Sequence, residues 1–456
     1  MDRRGPRRTK RRAHRHRFDH PLTDAVESIH DPRGPRQVGT LGGMNATFED
    51  GPGETAATNG IERLLIRVAE ALHESGAPSD RIEASVAAVG RRFDMVTAVF
   101  AVPTGLTLGL GPVDRQKVPV IRTRPRSPAL QRMRLVDIVI HDLVAGDCDA
   151  GTGVRRLDEI AAKPSPWGPW TALLAFMLTG AGVAILSGGT MWTALAASIA
   201  AGGVALILRI FGSSPHRAPL ADFVAALAAA LLANVLAIWF GSDPRLTLIA
   251  AIIVLVPGLT LTIAMRELAM GELTAGSARL MGALTTFVAL GFGAGLGEGV
   301  GELLSSAPAT ELTTVALTIW TLLPAVGAAS IGLMILLGED PRMTHWFLAA
   351  VLLGWGSIQI AAPLASPEVT AAIAAFAVGL GGNLANRFRG VPTALVAVPG
   401  LIVLVPGALG LTGFRSLMSD DPITGLNTII DAMLIGGGLV AGLLVAAMLL
   451  PPRTAL

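Results

Sequence analysis

The spacing of apolar positions divides the chain near residue 168. Beyond that point apolar residues run almost continuously, broken by short polar spacers. Ten stretches approach the ~20 residues that an α-helix needs to cross a hydrocarbon layer. They lie near 170–186, 191–211, 220–240, 246–264, 279–300, 312–337, 346–363, 369–386, 392–411 and 428–450. The fifth is glycine-rich, and Gly381-Gly382-Asn383 interrupts the eighth. Before residue 168 the pattern is that of a globular fold. Ile61, Leu64, Leu65, Val68, Ala69 and Leu72 share one helical face, so order is expected from about Ile61. Ser75-Gly76 ends that helix, and Ser79-Asp80 opens a second carrying Ile82, Val86 and Val89. The period then shortens. Residues 95–102 and 106–110 flank Pro103-Thr104-Gly105 as a hairpin, 118–123 suits a third strand, and 130–145 and 152–162 suit helices. The expected fold is a polytopic α-helical membrane protein preceded by a small soluble α+β domain, 60–168, long enough for its own core. Residues 1–59 have no periodicity and are expected to be a disordered, Arg-rich cytoplasmic tail.

Composition supports the division. Of 456 residues, 51% are hydrophobic and 15% charged, against about 25% charged in soluble proteins. The net charge is only +2, so the placement of arginines matters more than their number. With the N-terminus inside, the inner connections hold Arg209, Arg217, Arg266, Arg279, Arg342, Arg387, Arg389 and Arg453; the outer ones hold only Arg245 and Arg415. The loop after the fifth span carries Glu298, Glu302 and Glu311 without a basic residue. Both termini are therefore expected on the cytoplasmic side. The basic run from Arg3 to Arg17 lacks a following apolar segment and is not a signal peptide. A tail held near anionic lipid fits it better than a specific nucleic-acid site. Lysine occurs only at positions 10, 117 and 163 and tyrosine is absent, which suggests a GC-rich, bacterial coding sequence. Cys148 is the single cysteine, so neither an intramolecular disulfide nor a cysteine metal cluster can form.

The chain repeats itself. Ile253-Val-Leu-Val-Pro-Gly258 recurs 149 residues later as Ile402-Val-Leu-Val-Pro-Gly407, and the same offset pairs Asn234 with Asn383 and Arg266 with Arg415. Five spans per copy, in 169–310 and 311–456, send the second copy into the membrane from the opposite side. Inverted repeats of this kind build secondary transporters, with substrate near the midplane at the repeat interface. Pro257-Gly258 and Pro406-Gly407 are expected to break the fourth and ninth spans, and Pro399-Gly400 to add a second break to the ninth. Broken ends can hold an ammonium and a carboxylate without a buried formal charge. A kink that only tunes packing is the alternative. Asn234 and Asn383 bond either substrate or a neighbouring helix. Arg266, Glu267 and Arg415 suit gates or interfacial anchors; Asp222, Glu267 and Asp431 are candidates for coupling. In the α+β domain, His73, Glu74, Asp114, Asp137, His141 and Asp142 could do chemistry. No zinc spacing, nucleophile elbow or phosphate loop accompanies them. A structural or regulatory role is expected, with no cofactor, no metal and no ATP-driven pump.

Several segments in one order resemble the threonine/serine exporter family over residues 60–450. They are Leu72-His-Glu-Ser-Gly-Ala77 with Arg81 following, Pro103-Thr104-Gly105, the helix 154–160 leading to Trp170, the five-plus-five plan and the two Val-Pro-Gly breaks. The resemblance implies export of threonine and serine across a bacterial inner membrane, driven by an ion gradient, with protons the expected coupling ion. Split relatives are linked to dicarboxylate export, which gives a second substrate class. A membrane-bound enzyme or sensor using the α+β domain is a third reading, since that domain in the family has been likened to a hydrolase. Lipid and a small amino acid are the expected partners; an oligomer is compatible with the sequence.

Overall fold

A computed structural model describes residues 54–123, 129–212, 220–304, 318–404 and 422–451, with a few isolated residues between. Helix α1 (Glu54–Glu74) buries Leu64, Leu65, Val68, Ala69 and Leu72, the face its periodicity marks. It starts ahead of Ile61, because Ala56 and Ala57 favour helix and no proline intervenes. Helix α2 (Ser79–Arg92) follows a turn at Gly76, whose φ of 82° suits glycine. Strands β1 (Thr97–Val102) and β2 (Gly105–Leu110) pair antiparallel about Pro103-Thr104, and β3 (Val120–Ile121) adds to β2. Helix α3 (Leu130–Ala145) ends at Gly146, and α4 (Ala150–Ala162) begins where Asp149 accepts from the Thr152 amide at 2.6 Å. One face of α1, α2 and α3 closes over Leu106, Leu108 and Leu110 to form a separate core, which also buries Cys148.

The rest is helical: α5 (Pro169–Leu186), α6 (Met191–Gly212), α7 (Ala221–Phe240), α8 (Pro244–Ile252), α9 (Gly258–Ala269) and α10 (Leu273–Leu304), then α11 (Ile319–Leu336), α12 (Thr344–Ala361), α13 (Pro367–Arg389), α14 (Ala394–Leu404) and α15 (Pro422–Leu449). Six of these, α6, α7, α10, α12, α13 and α15, are long and apolar enough to cross a membrane. The chain is therefore a helical membrane protein. Aromatic side chains sit at helix ends, with Trp192 stacked on Phe240 and Arg209 lying 5.4 Å from the Trp170 ring.

Helices meet through small residues, which let backbones approach where lipid offers no hydrophobic gain. A Cβ built on Gly293 of α10 would strike the Phe223 carbonyl of α7; one built on Gly442 of α15 would strike the Ala372 carbonyl of α13. Both members of the second contact lie 149 residues beyond those of the first. Helices α7 and α13 also end alike, at left-handed Gly241 and Gly390, again 149 apart. Between the halves, Gly182 of α5 packs on Ala325 and Ala329 of α11, while Gly332 of α11 packs on Ala175 and Thr179 of α5. As one partner moves up the chain the other moves down, so α5 and α11 run antiparallel.

The interruption at Pro257-Gly258 is present: α8 stops at Ile252, five non-helical residues follow, and α9 restarts at Gly258. Two other expected breaks are absent. Helix α13 continues through Gly381-Gly382-Asn383, where the missing side chains admit Leu353 and Thr393 instead. Helix α14 continues through Pro399, which costs it one backbone hydrogen bond without ending it, and Gly354 of α12 lets the backbone of Gly400 approach. Pro406, Gly407 and Arg415 lie outside the described residues.

Candidate transport cavity

Two polar joints hold the α+β body to the helices. At the first, the buried Glu267 carboxylate on α9 accepts from the Ser79 amide at 3.1 Å and the Ser79 hydroxyl at 2.7 Å. Arg279 of α10 pairs with the same carboxylate at 2.9 Å, and Arg266 pairs with Asp80 at 2.7 Å. At the second, Arg134 of α3 meets the fully buried Glu339 at 2.9 Å. There Trp167 Nε1 donates to the Glu339 carbonyl at 2.8 Å, and the Leu130 amide donates to the Leu337 carbonyl.

Between the joints lies a cavity of about 870 Å³. Its helical wall includes Leu259, Thr262 and Arg266 of α9, Asn383 and Asn386 of α13, and Thr393 just before α14. Its other wall belongs to the α+β body, with Arg81 from α2 and Arg134, Asp137 and His141 from α3. The lining is mainly apolar, and its three guanidinium groups are each matched by a carboxylate: Arg81 to Asp137 at 2.6 Å, Arg134 to Glu339, Arg266 to Asp80. Burial raises the proton affinity of Asp137, and the adjacent Arg81 opposes that shift.

Among the sequence candidates, the second half of the broken helix, Asn383, Arg266, Asp137 and His141 reach this cavity. Asn383 is buried, accepts from Thr393 Oγ1 at 3.2 Å and donates to the Ala446 carbonyl at 3.5 Å. Asn234 does not reach it; its amide donates to the Ala230 carbonyl one turn back at 2.9 Å. Asp222, half-buried in the first turn of α7, and Asp431, exposed on α15, are also absent from the lining. In the α+β body His141 faces the cavity, whereas Asp142 pairs with Arg156 at 2.7 Å, as the ~100° step between helix neighbours requires. His73 is buried, and its Nε2 lies 2.9 Å from the Val102 carbonyl oxygen. Burial pushes its imidazole below the ordinary value, and nearby Arg279 adds to that shift. Burial likewise raises Glu83, with Glu272 and Asp80 adding to it. Sequence reasoning named Asp137 and His141 singly but passed over Arg134 and the stripe that these three form with Ile138 on α3. Its i, i+3, i+4, i+7 spacing placed those residues on one face.

A helical membrane protein with a cavity shared between an α+β body and its helices is the class these features define. Family models for threonine/serine exporters match residues 63–300 and 321–449. The chain belongs to the threonine/serine exporter family. It is 26% identical to the "Probable threonine/serine exporter" of Mycobacterium tuberculosis, over 84% of this chain and 76% of that protein. It is equally 26% identical to the "Threonine/serine exporter" of Corynebacterium glutamicum, over 84% of this chain and 81% of that one. "Pheromone-regulated membrane protein 10" of Saccharomyces cerevisiae is 25% identical over 81% of this chain and 49% of its own length. No solved structure matches the chain.

Proposed function

We propose that this protein is a secondary active exporter of threonine and serine in a bacterial inner membrane, driven by an ion gradient with protons as the coupling ion. The proposed plan has ten crossings in two inverted five-helix repeats, 169–310 and 311–456, with both termini and the α+β domain on the cytoplasmic side. The broken pair α8–α9 counts as one crossing, and α14 as part of another. The equivalent contacts at Gly293 and Gly442, and the antiparallel pairing of α5 with α11, support the inverted plan. The observation that carries the transport reading is the cavity. It is bounded by α9 from the first half and by α13, α14 and α15 from the second, next to an interrupted helix, where substrate sites of inverted-repeat transporters are built.

Charge favours a zwitterion over a dicarboxylate. Each arginine on the cavity already faces a carboxylate, so no net positive field is available for two extra negative charges. Nor does an enzyme reading gain support, because His141 lies on the cavity without Asp142 beside it. The test is efflux from peptide-loaded cells lacking and expressing the gene. Threonine and serine efflux is expected to rise with expression and to collapse with an uncoupler, while succinate efflux stays level. Unchanged amino-acid efflux rejects the substrate; raised succinate efflux would revive the dicarboxylate alternative. Pro257→Ala, which restores the missing backbone donor, is expected to reduce the export rate severalfold at unchanged expression.

A further inference from the structure

Three ion pairs surround the cavity, and two of them are joints. Arg266–Asp80 and Arg134–Glu339 each link the α+β body to the membrane helices, so neither can exchange partners without loosening the junction. Arg81–Asp137 is different. Both residues belong to the α+β body, one on α2 and one on α3, and both face the cavity. Their meeting is a single Nη2–Oδ1 contact at 2.6 Å, not a two-pronged fork. The second guanidinium nitrogen reaches only Met133 Sδ, at 3.5 Å, a poor acceptor, and Nε is buried without a partner among the described residues. About a fifth of each side chain is exposed, 23% for Arg81 and 20% for Asp137. The pair therefore lines the cavity with guanidinium bonding capacity left unused.

An amino-acid zwitterion carries the same two charges as this pair. Inserted between them, its carboxylate would take the guanidinium and its ammonium the Asp137 carboxylate. Every buried charge would then keep a partner through binding and release, the condition under which charges are tolerated in a low-dielectric site. The opposite wall offers neutral groups suited to a side-chain hydroxyl, Thr262, Thr393 and Asn383. Resting on the transport reading above, we propose that Arg81 and Asp137 bind the α-carboxylate and α-ammonium of the exported amino acid. The α+β domain thereby supplies the cytoplasmic half of the recognition site. It is a substrate-binding wall as well as a cover.

The test uses the full-length protein and has two arms. In the first, threonine amide and N-acetylthreonine, each lacking one of the two charges, compete against threonine for the wild-type protein. Neither is expected to compete at tenfold excess, whereas unlabelled serine does. In the second, Arg81→Gln, Asp137→Asn and the reversed pair Arg81→Asp with Asp137→Arg are compared for melting temperature and for the KM of threonine export. A recognition role predicts that the single variants raise KM tenfold or more. It also predicts that the reversed pair melts like the wild type yet stays defective, since its charges face the zwitterion the wrong way round. A merely structural pair predicts that the reversal restores export. That rescue, an unchanged KM in the single variants, or equal competition by the amide and the N-acetyl compound would each overturn the proposal. Should a variant fail to fold, the analogue arm on the wild type decides. If the wild type moves neither amino acid, the transport reading falls by itself. The shift in melting temperature that threonine produces on the purified chain, compared with that by its amide and N-acetyl forms, then decides the binding claim.

Discussion

His73 shows how one buried side chain ties stability to pH. It closes α1 onto the end of β1 through the Val102 carbonyl, in a setting that disfavours its charged form. The folded protein thus holds the imidazole neutral at a pH where the unfolded chain binds a proton. With the folded pKa depressed, His73 contributes stability that is present above the unfolded value of about 6.5 and is lost as pH falls below it. The melting temperature of the wild type is expected to drop between pH 7 and pH 5. In His73→Gln, which can still donate to Val102 but does not titrate, the drop should be smaller. Equal drops measured by thermal unfolding in one detergent would remove His73 as the cause. Glu267 carries a different lesson. Its sequence position near the end of an apolar run suggested gating or coupling, and nothing local pointed to Ser79, a partner 188 residues away. Pairings of that separation are invisible to periodicity, which reports only which face of a helix is apolar.

At the scale of elements, local signals were read well and tertiary ones were not. The hairpin followed from alternation around Pro103-Thr104-Gly105, and the bounds of α3 from its apolar spacing and Gly146, because each depends on a few neighbouring residues. The glycine and proline breaks were harder. Pro257 interrupts its helix, while Pro399 and Gly381-Gly382 do not, although the local residue types alone predict a break at each. Two glycines on α15 show what a close backbone approach requires. A side chain at position 442 would drive into the Ala372 carbonyl of α13, whereas one at 437 meets nothing within 4 Å. Gly442→Leu is therefore expected to separate α13 from α15, at a cost of about 1–3 kcal/mol or more, and to lower the yield of folded protein. Gly437→Leu should leave yield and melting temperature near the wild type. Comparable losses in both variants, measured by size-exclusion chromatography and thermal unfolding, would show that the close approach at Gly442 is not the cause, since leucine favours a helix more than glycine does.

For the molecule as a whole, the inverted plan makes a claim about sidedness that can be read directly. The turn after α5 and the turn after α11 occupy corresponding places in the two halves, each bending at a left-handed glycine, Gly188 with φ 87° and Gly338 with φ 62°. Parallel repeats would put both turns on one face of the membrane; inverted repeats put them on opposite faces. The turn after α11 holds Glu339, which binds Arg134 and Trp167, so it shares the side of the α+β body. The turn after α5 should then face away. Cys148 is buried in the α+β core and is the only native thiol, so a Cys148→Ser background leaves room for single reporters. In intact cells, Ser187→Cys is expected to react with a membrane-impermeant maleimide. Arg342→Cys, exposed beside the other turn, should react only after permeabilisation. Labelling of both from the same side would contradict the inversion, and with it the argument that the cavity lies on a pseudo-symmetric interface. Opposite labelling would put the Arg81–Asp137 wall at the cytoplasmic mouth, where an exporter must first meet its substrate.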